Sequence, residues 1–374
     1  MEYLTELKPF LQDAWKTSQF QELTEIQKKA VPEILEGKNL VCESPTGTGK
    51  TLAYLLPILN RIDEKRMQAQ AIILAPSHEL VMQIHQEVQK WTKASEINSI
   101  ALIGGANVKN QIEKLKKKPK IIVGTTGRIM ELIKMKKLKM HEIKTIVVDE
   151  FDSMIGKEHI NDIRQVIKST MADRQLLFFS ATLSDVTDEV ASELMDNYEV
   201  IRVNQGIVSS SNVEHGYLLS EQRDKIEVLR KLSNVKDIKA LVFFNSLEKL
   251  SEVEEKLKYQ KTSLEVLAGE SKKMERKHSL DRFRAGKVPM LLTTDVAARG
   301  LDISGVTHVI HFEFPTDTKQ YIHRSGRTGR MGASGAVISL VTKREESFLE
   351  KMAGELDLKV SKKRIHGGQI SEDR

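Results

Sequence analysis

Thr145-Ile146-Val147-Val148-Asp149-Glu150-Phe151-Asp152 begins as a β-branched apolar run and ends in three carboxylates around one aromatic ring. Such a continuous apolar run reads as a strand buried on both faces. Its carboxylates then emerge at the strand's carboxy end, where open parallel sheets bind their ligands. Two adjacent acids can divide labour there. Asp149 suits a metal ion, held directly or through water, and Glu150 can position and deprotonate an attacking water. Alone, the segment also fits an ordinary acidic turn.

The stretch upstream narrows the choice. Ser44-Pro45-Thr46-Gly47-Thr48-Gly49-Lys50-Thr51 follows an apolar strand at 39–43 and approaches the pattern G-x-x-x-x-G-K-S/T, with Ser44 where the first Gly is expected. Gly47 and Gly49 let backbone N–H groups approach phosphates, Lys50 offers a point charge to the β and γ groups, and Thr51 supplies a hydroxyl to Mg2+. Ser44, Thr46 and Thr48 complete the loop around the nucleotide. Together the two segments indicate a nucleoside triphosphatase.

Further apolar strands are expected at 71–75, 100–103, 120–123, 145–149 and 176–180, separated by helical patterns. In one of these, Leu80, Ile84, Val88 and Trp91 recur three or four residues apart on one face. Alternating strand and helix predicts a mostly parallel, doubly wound α/β sheet. A polar stretch at 205–212 interrupts the pattern and reads as a flexible linker. A second series follows, with strands expected at 216–219, 240–244, 263–267, 290–294, 308–312 and 336–341. The expected organisation is therefore two tandem domains, 1–204 and 213–360, with a frayed polar tail at 361–374.

Length agrees, since 374 residues exceed one ordinary core. Hydrophobic residues at 40% and charged residues at 29% fit a soluble globular protein. With no amino-terminal apolar h-region and no run of membrane-spanning length, a cytoplasmic protein without membrane contact is expected. The single cysteine, Cys42, falls within the first strand and reads as a buried structural thiol. The net charge of +6 permits a polyanionic partner without requiring one. The most basic stretch, Lys134-Met135-Lys136-Lys137-Leu138-Lys139-Met140, reads as a solvated helix end or loop.

The second half contributes Tyr321-Ile322-His323-Arg324-Ser325-Gly326-Arg327-Thr328-Gly329-Arg330, a glycine-punctuated arginine cluster. Guanidinium groups stabilise charge on a transferred phosphoryl group, so such a cluster on a second domain would couple hydrolysis to domain closure.

With these segments in order, the chain resembles the DEAD-box ATP-dependent RNA helicases of superfamily 2, in a short form without appended domains. The matching segments include Thr24-Glu25-Ile26-Gln27, the loop at 44–51, Pro76-Ser77-His78-Glu79-Leu80, Gly104-Gly105, Thr125-Thr126-Gly127-Arg128, the acidic box, Ser180-Ala181-Thr182, residues 294–302 and residues 323–330. The resemblance implies two RecA-like domains that use ATP and Mg2+. It implies that Gln27 reads adenine, that Gly300 and Asp302 lie at the nucleotide, and that Arg327 and Arg330 act as arginine fingers. It further implies that Ser180, Thr182 and His323 couple the nucleotide site to RNA, with Asp152 as intermediary. RNA would run over Pro76, Gly105, Thr125, Arg128, Arg276 and Thr294, touched through its backbone and 2′-OH groups.

Several positions depart from the family pattern. Phe151 replaces the usual Ala; in an unchanged pocket that would cost roughly 1 to 3 kcal/mol, so a compensating smaller neighbour is expected. His78 replaces an Arg near RNA, Thr126 the Pro of TPGR, Lys273 the Gln of QxxR, and Ser325 an Ile. For the aromatic residue that stacks on adenine in the family, Tyr3 and Phe10 are the candidates. The function expected is local unwinding of short RNA duplexes or remodelling of RNA–protein complexes by a monomer, with ribosomal precursor RNA as a possible target. The alternatives are an ATP-gated RNA clamp or annealing factor, and a DNA helicase or DExH-type translocase, against which Asp152 and Gln27 argue.

Overall fold

In the computed structural model the chain divides into two units, residues 1–203 and 204–374. The structure describes residues 2–18, 20, 22–45, 47–203, 212–268, 273–298, 303, 305–329 and 333–373, without the side chains of Glu2, Tyr3, Lys157, Glu158 and Lys273. Among the described residues no helix is long and apolar enough to cross a membrane. All but Asn212 of the expected linker lies outside them.

The first unit holds a seven-stranded parallel sheet of β1 (Asn39–Glu43), β2 (Ala71–Leu74), β3 (Ser99–Leu102), β4 (Ile121–Gly124), β5 (Thr145–Val148), β6 (Gln175–Ser180) and β7 (Tyr198–Arg202). Their order is β3-β4-β2-β5-β6-β1-β7. Successive residues of each central strand enter opposite cores. Ile73 and Val147 pack with helices Glu25–Leu35, Lys50–Arg61 and His78–Trp91, whereas Ile72, Leu74, Ile146 and Val148 pack with helices Thr126–Lys134 and Lys157–Lys168. This is the doubly wound arrangement that continuous apolar strands require. β7 has no apolar run because it is the sheet's edge, with three of its five residues exposed. Cys42 is fully buried, and burial raises its thiol pKa, so the structural reading holds.

The second unit contains β8 (Val213–Leu219), β9 (Ala240–Phe244), β10 (Glu265–Leu267), β11 (Met290–Thr294), β12 (His308–His311), β13 (Gly335–Val341), β14 (Val360–His366) and β15 (Gln369–Glu372). Their order is β10-β11-β9-β12-β13-β8-β14-β15, parallel except for β15.

The last two strands correct the expectation of a frayed tail. Val360, Ser361 and Lys362 pair in parallel with His215, Gly216 and Tyr217, and the chain returns through Gly367 and Gly368, both at positive φ. The stretch reads as polar because its inward residue is Lys363, buried in ion pairs with Glu214 and Glu372. The Gly-Gly pair between Ile365 and Ile370 is a two-residue hairpin signal in the sequence.

Candidate nucleotide and RNA site

The acidic box begins where β5 ends. Asp149 is buried, and its Oδ1 accepts the Glu150 N–H at 2.9 Å while Oδ2 accepts the Tyr54 hydroxyl at 2.9 Å. Burial pushes this carboxyl up to about 6, against the pull of the Lys50 ammonium and with the repulsion of Glu150. Glu150 sits at φ 52° and ψ 47°, a left-handed position that costs an L-residue about 1 to 2 kcal/mol. Its carbonyl accepts from the Ser153 N–H and hydroxyl, which closes the turn over Phe151–Ser153. Strain of this kind is typical of functional turns. It lets consecutive acids leave one strand end in different directions.

Asp152 is buried and accepts from the Thr182 hydroxyl at 3.0 Å, while the Ser180 hydroxyl donates to the Thr182 carbonyl at 2.6 Å. The Ser180 carbonyl in turn accepts the Ser44 N–H at 3.0 Å and the Lys50 ammonium at 3.4 Å. A continuous hydrogen-bonded chain thus joins the acidic box to the phosphate loop through the end of β6.

Within that loop Gly47 and Gly49 adopt φ 82° and 91°. A Cβ on Gly49 would lie 2.5 Å from the Gln27 amide nitrogen. That amide donates to the Gly49 carbonyl at 3.1 Å, and its oxygen accepts the Thr24 N–H in a capping box. Gln27 therefore ties its own helix to the phosphate loop. Ser44, the departure from the strict pattern, shares a 2.6 Å hydrogen bond with the Thr48 hydroxyl, which also donates to the Pro45 carbonyl at 2.8 Å. Lys50 is buried and donates to the Ser44 carbonyl at 2.6 Å. A phosphate oxyanion is a stronger acceptor for its ammonium than either the Ser44 or the Ser180 carbonyl. The Thr51 hydroxyl, on the helix after the phosphate loop, and the Asp149 carboxylate, after β5, are hard oxygen donors of the kind Mg2+ takes.

The residues of this unit expected along an RNA path lie at the same sheet edge. Pro76 follows β2, Gly105 follows β3, and Thr125 caps helix Thr126–Lys134 after β4. The Arg128 guanidinium donates two hydrogen bonds of 3.2 Å to the Ala106 carbonyl and pairs with Glu131 at 2.9 Å, holding the loop after Gly105 against that helix. His78 lies over the paired glycines, its Nε2 3.4 Å from where a Cβ on Gly104 would sit. Thr126 takes the first helical position, where Pro is favoured, and its hydroxyl bonds to His159 at 3.1 Å.

In the second unit, Arg276 donates to the Ala268 carbonyl at 2.7 Å and the Ala297 carbonyl at 3.3 Å, and the Thr294 hydroxyl accepts the Ala297 N–H at 3.4 Å. His323 is on helix Thr318–Ser325, and Arg327 is buried just beyond it. Thr46, Gly300, Asp302 and Arg330 lie outside the described residues, as do the side chains of Tyr3 and Lys273. Phe10 packs half-buried against the first core.

Two contributors escape sequence reasoning. Tyr54 lies one helical turn beyond Lys50 and touches the Asp149 carboxylate; that spacing is the signal the sequence offers. Arg324 is no phosphate ligand. It is fully buried, forms a two-point ion pair with Asp295 at 2.8 and 2.6 Å, donates to Asn245 and Glu313, and lies 5.3 Å from the Phe243 ring. It pins the arginine-bearing helix to the ends of three strands.

The expected smaller neighbour of Phe151 is replaced by another ring. Phe151 is fully buried and packs against Phe178 at 4.5 Å between centroids, inclined by 34°.

Comparison with known proteins agrees with this geometry. Residues 24–190 match the DEAD/DEAH box helicase family and residues 224–332 the helicase conserved C-terminal domain. The chain belongs to the DEAD-box RNA helicases. It is 51% identical to the DEAD-box ATP-dependent RNA helicase CshC of Bacillus cereus, over 99% of this chain and 95% of that one. It is also 51% identical to the probable ATP-dependent RNA helicase YfmL of Bacillus subtilis, over 98% of each. Among solved structures, S. cerevisiae Dbp5 bound to RNA and ADP BeF3 matches with a TM-score of 0.88 and 31% identity, over 96% of this chain and 94% of that one. Family membership carries the two RecA-like domains and an ATP-dependent activity on RNA.

Tyr54 gives that activity a testable pH dependence. In the metal-free protein burial pushes Asp149 up to about 6, so protons compete with Mg2+ for this carboxylate and an acid limb is expected in the ATPase rate. The Tyr54 hydroxyl stabilises the ionised form. In Tyr54→Phe the limb should move up by about one to two pH units, the equivalent of one hydrogen bond to a charged group. Activity should fall more at pH 6 than at pH 8. Superimposable pH profiles would show that Tyr54 serves only packing.

Proposed function

We propose that this protein hydrolyses ATP on RNA and locally opens short RNA duplexes or remodels RNA–protein complexes. The supporting observation is the strand order. β5, β6 and β1, neighbours on one side, release the acidic box, the Ser180–Thr182 segment and the phosphate loop, while β3, β4 and β2 on the other release Gly105, Thr125 and Pro76. The boundary is the β2–β5 pair, where the Asp149 N–H donates to the Leu74 carbonyl at 2.9 Å. Nucleotide and RNA loops on adjacent strands of one rigid sheet suit coupling of hydrolysis to RNA binding.

In this reading Thr51 and Asp149 hold Mg2+, which neutralises phosphate charge when bound. Lys50 binds the phosphates, Glu150 accepts the proton of the attacking water, and Arg327 and Arg330 stabilise charge on the transferred phosphoryl group. Arg128 and Arg276, each held by a backbone carbonyl, are assigned to the RNA backbone in this reading. A monomer acting in the cytoplasm on ribosomal precursor RNA belongs to the same proposal. The test compares strand separation of an RNA duplex of roughly 10 base pairs with ATP, with a non-hydrolysable analogue and without nucleotide. ATP-dependent opening is expected. ATP-dependent RNA retention with no opening would replace unwinding by a clamp, and equal ATPase stimulation by DNA would remove the RNA assignment.

A further inference from the structure

The chain's basicity is concentrated in one segment, most of it away from the site just described. Residues 113–144 carry ten lysines and one arginine against three glutamates, a net charge of +8, whereas the whole chain carries +6. The remainder is slightly acidic. Some of these cations are used locally: Arg128 with Glu131, Lys116 with Glu113, Lys144 with Asp173, and Lys120 on the Glu96 carbonyl. At the end of helix Val108–Leu115, Lys114, Lys117 and Lys118 remain exposed. Past the end of helix Thr126–Lys134, Lys136, Lys137 and Lys139 join Lys134 in solvent. None of these seven has an ion pair among the described residues.

The sheet brings the two groups together. Ile121 and Thr145, where the chain enters β4 and β5, are both in register with Ala71 of the strand between them. The Gln70 N–H donates to the Lys120 carbonyl and the Lys144 N–H to the Gln70 carbonyl, each at 2.8 Å. The two entry points are thus two strand spacings apart, roughly 10 Å. Both helices pack into the same core, through Ile112 and Leu115 and through Ile129 and Leu132. This is the amino edge of the sheet, at the opposite strand ends from the phosphate and RNA loops.

The turns are firmly held. Leu138 and Met140 are buried on either side of exposed Lys139, and the Asn98 side chain donates to the Lys117 carbonyl at 3.1 Å. Lys118 and Lys136 both adopt left-handed backbone, at φ 52° and 56°, a place where Gly or Asn is conformationally cheaper. The helix dipole accounts for a lysine in each last turn. It does not account for lysines beyond the turn, which repel one another.

We propose that this amino edge is a second RNA-binding surface, one that takes the phosphate backbone of double-helical RNA. Residues 113–144 contain no Phe, Tyr or Trp, so the stacking platforms that hold single strands are absent from this segment. Ammonium groups without aromatic partners suit the regular phosphate ridges of a duplex, read without sequence preference. The inference rests on the RNA-helicase reading. It adds an anchor on structured RNA beside the segment on which ATP is turned over.

The test uses the full chain with Lys117→Gln, Lys118→Gln, Lys136→Gln, Lys137→Gln and Lys139→Gln combined. Binding is measured by anisotropy between 50 and 200 mM KCl, to an RNA hairpin and to a single-stranded 10-mer with a non-hydrolysable ATP analogue. Affinity for the hairpin should fall at least about tenfold at low salt, and the salt slope should drop by about 0.9 for each phosphate no longer neutralised. Binding of the 10-mer and ATPase on it should stay within about twofold. In the wild-type chain, the hairpin and not the 10-mer should protect these lysines from acylation. Unchanged hairpin binding, or equal loss on both RNAs, would overturn the proposal. So would phosphatidylglycerol vesicles protecting the lysines where the hairpin does not, which would assign the patch to a membrane surface. Failure of the helicase reading would look different: the wild-type chain would show neither ATP-dependent 10-mer binding nor ATPase stimulation.

Discussion

Glu150→Gln is expected to lower RNA-stimulated turnover by about 10²- to 10⁴-fold, the range supplied by a positioned general base, while ATP and RNA binding stay within a few fold. The substitution keeps the shape of the side chain, and the contacts that shape the turn are made by the backbone. The Glu150 N–H donates to Asp149, its carbonyl accepts from Ser153, and the left-handed φ of 52° is held by those bonds. A loss confined to turnover therefore reports on proton acceptance. The measurement is steady-state ATPase with saturating RNA, beside nucleotide affinity of the same variant. Unimpaired ATPase would remove Glu150 as the base. Loss of nucleotide affinity in parallel with turnover would show instead that the side chain helps to hold Mg2+ or phosphate.

The sequence reveals these residues better than it reveals why they work together. The phosphate loop and the acidic box each follow an apolar run, so their positions at strand ends are legible from local pattern alone. Strand order is not. β2 pairs with both β4 and β5 across long stretches of sequence, and nothing in residues 71–74 announces either partner. The proposed division of one edge into nucleotide and RNA halves thus depends on tertiary structure. Polarity hides three further features. β7 lies at an edge and needs no apolar run, β14 buries a lysine by pairing it with two glutamates, and Arg324 shares a motif with the arginines expected to act on phosphate yet lies buried on Asp295. Each departs from the binary pattern through a specific partner, which a single sequence does not identify.

Phe151 shows the converse, a departure whose meaning is packing. Phe151→Ala would restore the residue usual in the family, and it is expected to destabilise the N-terminal unit by about 3 to 5 kcal/mol. The ring is fully buried in a core that also contains Val148, Met154 and Ile163, and it meets Phe178 at 4.5 Å. Aromatic pairing adds about 0.5 to 1.5 kcal/mol to the transfer and cavity terms. Alanine suits relatives whose cores are filled from other positions; here it would leave a void facing β6. The measurement is direct because both tryptophans of the chain, Trp15 and Trp91, lie in the N-terminal unit, 6.2 Å apart. Tryptophan fluorescence in urea thus follows that unit's unfolding without a signal from the other. The midpoint should fall, and Phe178→Ala should be strongly non-additive with Phe151→Ala, since each removes the other's partner. Turnover at temperatures where the variant stays folded should remain within a few fold, because the described carboxylate contacts of Asp149 and Asp152 run through Tyr54, the Glu150 backbone and Thr182. An unchanged urea midpoint would show that the core closes over the missing ring. A large loss of turnover at unchanged stability would make Phe151 the residue that sets the strained turn of Glu150.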